Sequence, residues 1–78
     1  MIGMPKRYEA RIYNEWVRHL LDTLEPNVTG FSDAWAEVHY VKVTAPSVDA
    51  ALQHIRRDHP AELGFTITHI EEMQDNDY

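Results

Sequence analysis

The densest cluster of chemically versatile side chains is HIRRDHP, His54 to Pro60, which packs two histidines, two arginines and an aspartate into seven positions. Imidazoles bind metals and move protons, and guanidinium groups hold anions. The spacing argues for something plainer. His54 and His59 are five apart, whereas two ligands share one helical face at a separation of three or four, and there is no H-E-x-x-H. On a helical wheel His59 joins the stripe of Val48, Leu52 and Ile55, so it is expected to close the core at a helix end. Arg56 and Arg57 suit a last turn, where cations complement the helix dipole. His54 and Asp58 are four apart and can pair on the flank. The segment is expected to be a helix stop.

The remaining chemistry is sparse. His39 and His69 fall in strand-like segments, and if those strands were neighbours the two imidazoles, with Glu37 or Asp58, could hold zinc. Strand histidines are more often half-buried residues with one satisfied nitrogen, and that is the favoured expectation. The chain has no cysteine, which removes thiol catalysis, thiolate metal sites and disulfides. Ser47 is placed to cap a helix, and neither Ser32 nor Ser47 sits in a G-x-S-x-G turn. Gly3, Gly30 and Gly64 are isolated, so no phosphate-cradling loop is present. The expectation is a protein without enzymatic activity, metal or cofactor.

Charge is more informative. The formal net charge of −6 at pH 7 is unevenly spread. Glu71, Glu72, Asp75 and Asp77 crowd the end of the chain, while Lys6, Arg7 and Arg11 lie near its start. A net acidic domain is repelled by phosphate backbones, so direct nucleic-acid binding through Lys6, Arg7 and Arg11 is the disfavoured alternative. No apolar run reaches the roughly 20 residues of a membrane span, and MIGMPKRYEARIY lacks the apolar centre of a secretory signal. A cytoplasmic location is expected, and the Asn27-Val28-Thr29 sequon then carries no glycan.

The elements that must position these groups can be read in part. Seventy-eight residues make one domain, near the size at which a single core becomes marginal, with residues 1–5 and 73–78 expected to be flexible. AWAEVHYVKVTA reads as a strand from about Trp35 to Thr44. Ala36, Val38 and Tyr40 would lie on one face and Trp35, Val41 and Val43 on the other, which suggests a central strand covered on both sides. Ser47 caps an amphipathic helix running to about Asp58, and Pro60 stops it. FTITHIEEM is a second strand with Phe65, Ile67 and His69 on one face. Strand, helix and strand make a β-α-β unit with a right-handed crossover.

The first third admits two assignments. RYEARIY is a strand followed by a helix from Glu15 to Glu25 capped by Asn14, or one long helix covers the whole segment. The first is favoured, because Tyr8 and Ile12 drift off the stripe formed by Trp16, Val17, Leu20, Leu21 and Leu24. The fold class is therefore α+β, a β-α-β-α-β chain with a three-stranded sheet and two helices on one face. The alternative is α-β-α-β with a long N-terminal helix.

A sheet covered on one side leaves its other face bare, which suggests self-association or partner binding there. Trp16, on the helix stripe, is assigned to the core, and Trp35 is the first candidate contact. The leading expectation is a non-enzymatic acidic protein-interaction module that acts as an accessory or inhibitor by occupying a partner's surface. Its sharpest form is charge mimicry by Glu71, Glu72, Asp75 and Asp77 against a basic nucleic-acid-binding protein, as some phage-encoded inhibitors do. A homodimer through the sheet is a further possibility, and a small metal- or ligand-binding domain using the strand histidines is the competing class.

Overall fold

The computed structural model describes residues 4–74. Strand β1, Lys6–Asn14, comes first and leads directly into helix α1, Glu15–Asp22. A loop and a 3-10 turn at Asp33–Ala36 precede strand β2, His39–Ala45. Helix α2, Val48–Asp58, a second 3-10 turn at Ala61–Leu63 and strand β3, Phe65–Glu72, complete the fold. The α+β class and the strand-first order hold, and the long N-terminal helix does not form. The sheet order is β2-β1-β3, with both outer strands antiparallel to β1.

That order corrects the expected centre of the sheet. β1 is the middle strand and β2 is an edge, so β2 and β3 run parallel to each other with β1 inserted between them. Burial in β1 alternates strictly, with Tyr8, Ala10, Ile12 and Asn14 buried and the residues between them less so. One face of the sheet is covered and the other is open, and a central strand with one covered face reads as alternating. The second apolar face assigned to β2 was illusory, because Trp35, Ala36 and Val38 all precede the strand. Ser32 folds that stretch into a turn. Its hydroxyl accepts from the Ala34 amide at 3.2 Å, and its carbonyl accepts from the Trp35 amide at 3.0 Å.

Capping chemistry sets most boundaries. The Asn14 side chain accepts from the Trp16 and Val17 amides, and the Ser47 hydroxyl accepts from the Ala50 amide. These bonds satisfy helix-start donors that have no partner within the helix. α2 ends at Asp58 as Pro60 requires, and His59 turns its Nδ1 to within 3.2 Å of the Ile55 carbonyl. α1 stops earlier than expected, at Asp22 instead of Glu25. Leu24 adopts φ +58 in the role a glycine usually takes, and the Glu25 amide closes back on the Leu20 carbonyl at 2.8 Å.

A bulge changes what β3 presents. Arg11 stands opposite His69 and Ile12 opposite Ile67, so Thr68 is an extra residue in β3. Beyond it the alternation reverses. Phe65 and Ile67 share the covered face with Ile70, and His69 lies on the open face with Arg11, contrary to the expected Phe65-Ile67-His69 face.

The core lies between the covered face and α2. Ala10, Ile12, Ile55 and Phe65 form one buried cluster, and Tyr8, Ala45 and Ala51 form its continuation. Burying a side chain of the Ile or Phe class contributes about 2 kcal/mol, so these few residues supply much of the stability. A ring cluster closes one end. Trp35 stacks on His39 with centroids 4.0 Å apart and meets Phe65 edge-on at 5.1 Å, and His59 meets Phe65 at 5.4 Å. HIRRDHP is accounted for as core closure by His59 and exposed helix-end charge at Arg56 and Arg57. His54 and Asp58 are both exposed, and the ion pairs among the described residues form elsewhere, between β1 and β3 and within β3.

Candidate functional site

A groove of about 830 Å³ lies beside α1, lined by Glu15, Trp16, His19, Leu20, Val28, Thr29, Phe31 and Leu63. One buried junction positions its floor. Asn14 is fully buried, and its Oδ1 accepts from the amides of Trp16 at 3.0 Å and Val17 at 3.1 Å. Its Nδ2 donates to the Leu63 carbonyl at 3.0 Å, so one side chain ties the start of α1 to the 3-10 turn before β3. The Glu15 amide donates to the Gly64 carbonyl at 2.8 Å and doubles the tie.

Gly64 completes this junction for two reasons. Its φ of +97 is a conformation that side-chain-bearing residues rarely adopt. A Cβ there would lie 2.7 Å from both Asn14 Oδ1 and Trp16 Cγ. The backbone at Gly64 therefore presses against the Trp16 indole and fixes it at the groove.

The opposite wall is a loop held by one amide. Asn27 Nδ2 donates to the Phe31 carbonyl at 2.8 Å and to Asp33 Oδ1 at 2.7 Å. Its Oδ1 accepts from the Thr29 amide and hydroxyl, and the Thr29 hydroxyl accepts from the Phe31 amide. These bonds organise NVTGFSD into a compact turn that presents Val28 and Phe31 to the groove. Phe31 also meets the core edge-on at Phe65, with centroids 4.9 Å apart.

The groove is apolar and open. Trp16 is 44% exposed, Leu63 43% and Val28 82%. Large apolar residues clustered at the surface mark interaction sites more often than they occur by chance. The titratable groups on the wall are Glu15 and His19. Thr29 adds a hydroxyl, and the rest of the lining is apolar.

The residues singled out from the sequence fall elsewhere. Trp35 is half-buried in the ring cluster with His39, His59 and Phe65. Trp16, assigned to the core, is the exposed indole, and Val17 is the buried residue of α1. The two opposed charge clusters meet each other across the β1–β3 pair. Lys6 Nζ lies 3.8 Å from Glu72 Oε1, and Arg11 Nη2 lies 3.7 Å from Glu71 Oε1. His69 Nε2 also approaches Glu71 at 3.5 Å. The Arg11 guanidinium sits 5.6 Å from the centre of the Tyr40 ring. Arg7 lies exposed on β1 opposite Thr44. Asp75 and Asp77 lie outside the described residues.

The strand-histidine pair is not assembled. β1 separates the two strands, His39 is opposite Ile12 on the covered face, and His69 is opposite Arg11 on the open face. Among the described residues no group of three metal-ligating side chains converges. Nor is any described helix long and apolar enough to cross a membrane.

Trp16, Leu20, Val28, Phe31 and Leu63 were not recognised from sequence as a surface. One signal was available. The stripe of Trp16, Val17, Leu20, Leu21 and Leu24 holds more apolar residues than the short helix buries, since Val17 is its buried residue. No protein-family model matches the chain, and no curated protein or solved structure matches it.

Proposed function

We propose that the protein is a non-enzymatic interaction module whose α1 groove takes up an apolar segment of a partner protein flanked by basic residues. The observation that carries this reading is the exposure of Trp16, Val28 and Leu63 around one concavity, in a chain with little apolar material to spare. Tryptophan is the residue type most enriched at the centres of interfaces. The Trp16 indole also lies against the Gly64 backbone, so little side-chain entropy is lost when it is covered.

The charge of the partner follows from the surroundings. Glu15, Asp22, Glu25 and Glu62 lie exposed on the elements that build the groove or flank it. The arginine of α1 is already committed. Arg18 Nε donates to the Ala36 carbonyl at 2.8 Å, and its guanidinium lies 3.7 Å from the centre of the Tyr13 ring. An acidic rim around an apolar floor favours Lys or Arg beside the docking side chains and speeds their encounter. Blocking a partner's basic surface is the inhibitory or accessory role this supports.

Selection from a randomised displayed-peptide library is the test. Enriched sequences are expected to carry two or three bulky apolar residues beside Lys or Arg. Their binding should weaken with added salt and fall at least tenfold with Trp16→Ala, roughly the loss expected at an anchor residue. A library that yields no binder, or binders indifferent to Trp16→Ala and Leu63→Asp, would overturn the reading.

A further inference from the structure

The two edges of the sheet are not equivalent. β3 is interrupted by the bulge at Thr68 and ends in Glu71 and Glu72, and both features discourage a further strand from pairing. β2 has neither feature. His39–Ala45 pairs with β1 in unbroken register along its whole length, contains no proline, and has a free outer side among the described residues. Among the described residues, none of the backbone hydrogen bonds formed outside the regular ladders involves residues 39–45.

We infer that β2 pairs with β2 of a second copy of this chain, antiparallel about a two-fold axis at Val41, joining two sheets into one of six strands. The side chains select this register. A two-fold axis perpendicular to the sheet keeps covered face on covered face, so opposed residues must sum to an even number. Centred on Lys42, the axis would place two lysines face to face. Centred on Val41, it places Val41 against Val41 of the partner subunit and Tyr40 against Lys42 of the partner subunit, twice by symmetry. Tyr40 is 60% exposed on the open face, and a lysine beside its ring gains a cation–π contact. His39 and Val43 oppose one another on the covered face. Lys42 thus acts as a register selector, since its own repulsion removes the neighbouring alignment. The contact is confined to one strand edge and predicts a weak, concentration-dependent dimer.

Sedimentation of the full chain from about 10 µM to about 1 mM spans the range in which such an interface assembles. The wild type is expected to shift from monomer to dimer. Tyr40→Lys opposes two like charges across the join and should weaken association at least roughly tenfold. Tyr40→Glu places a carboxylate against the same lysine and should leave it equal or stronger. A dimer that merely buries an apolar ring would be weakened by both variants, which overturns the register. A wild type that stays monomeric throughout overturns the pairing. A dimer lost with Trp16→Ala and kept with Tyr40→Lys would place the second copy in the α1 groove and likewise overturn it. Because the chain lacks cysteine, Val41→Cys gives an independent readout. Oxidation should link it to the partner's Cys at the same position, and Lys42→Cys should link far less. Equal linking by both, or none by Val41→Cys, contradicts the alignment.

Discussion

The β1–β3 ladder and the α1 groove are made of opposite materials, and their appearance in the sequence inverts their roles in the fold. The ladder carries Lys6, Arg11, Glu71 and Glu72, which stand out in the sequence as two charged clusters at opposite ends of the chain. Antiparallel pairing brings the ends together, and each cluster becomes the other's counter-charge. The groove is built from Trp16 and Leu20, which look like core in the sequence, and from Val28, Phe31 and Leu63, which look like ordinary loop residues. The sheet's covered face is already filled by α2 and the ring cluster, so part of this apolar set is left at the surface. Conspicuous charge was self-neutralising, and apparently ordinary apolar residues became the exposed feature.

The largest effect should come from the junction that holds the groove. Gly64→Ala introduces a Cβ 2.7 Å from two atoms at a φ of +97, and should lower the unfolding free energy by about 3 kcal/mol in urea titration. Trp35→Ala should cost a similar amount, about 3 kcal/mol, because it empties the ring cluster between His39, His59 and Phe65. Trp16→Ala supplies the contrast. The residue is 44% exposed, so stability should change by about 1 kcal/mol or less while peptide binding is lost. If the two tryptophans behaved alike, the distinction between buried anchor and docking floor would collapse.

Asn14→Ala is expected to fall between these extremes, at about 2 kcal/mol. It removes a helix cap and leaves the Leu63 carbonyl without its donor. Glu71→Gln should have the smallest effect, about 0.5 kcal/mol or less by thermal denaturation. Its partners lie 3.5 and 3.7 Å away with side chains about half exposed, and solvent screens such pairs. A large loss at Glu71 would mean that the ladder contributes more than its geometry implies.

Much of the local structure was legible because local chemistry decides it. Asn14, Ser47 and Pro60 mark helix boundaries by hydrogen bonding or steric exclusion within a few residues, and the fold obeys each of them. Alternation in RYEARIY gave the first strand for the same reason. What was not legible depends on pairing between distant segments. Nothing in AWAEVHYVKVTA shows that Ser32 will turn Trp35 away before the strand begins, or that β1 will take the centre. The bulge at Thr68 exists only in relation to Arg11 and Ile12, and it alone moves His69 to the other face. The groove is less legible still, because it unites α1, the loop at residues 28–31 and Leu63 through the Asn14–Leu63 bond.

The account stands on the claim that the groove, and not the charged ladder, receives the partner. Amide and side-chain chemical-shift mapping of the labelled protein with a library-selected basic apolar peptide tests it residue by residue. Shifts are expected at Trp16, Leu20, Val28, Phe31 and Leu63, with Arg11, His69 and Glu71 unmoved. Shifts concentrated on Arg11, Tyr40, His69 and Glu71, with Trp16 silent, would contradict it.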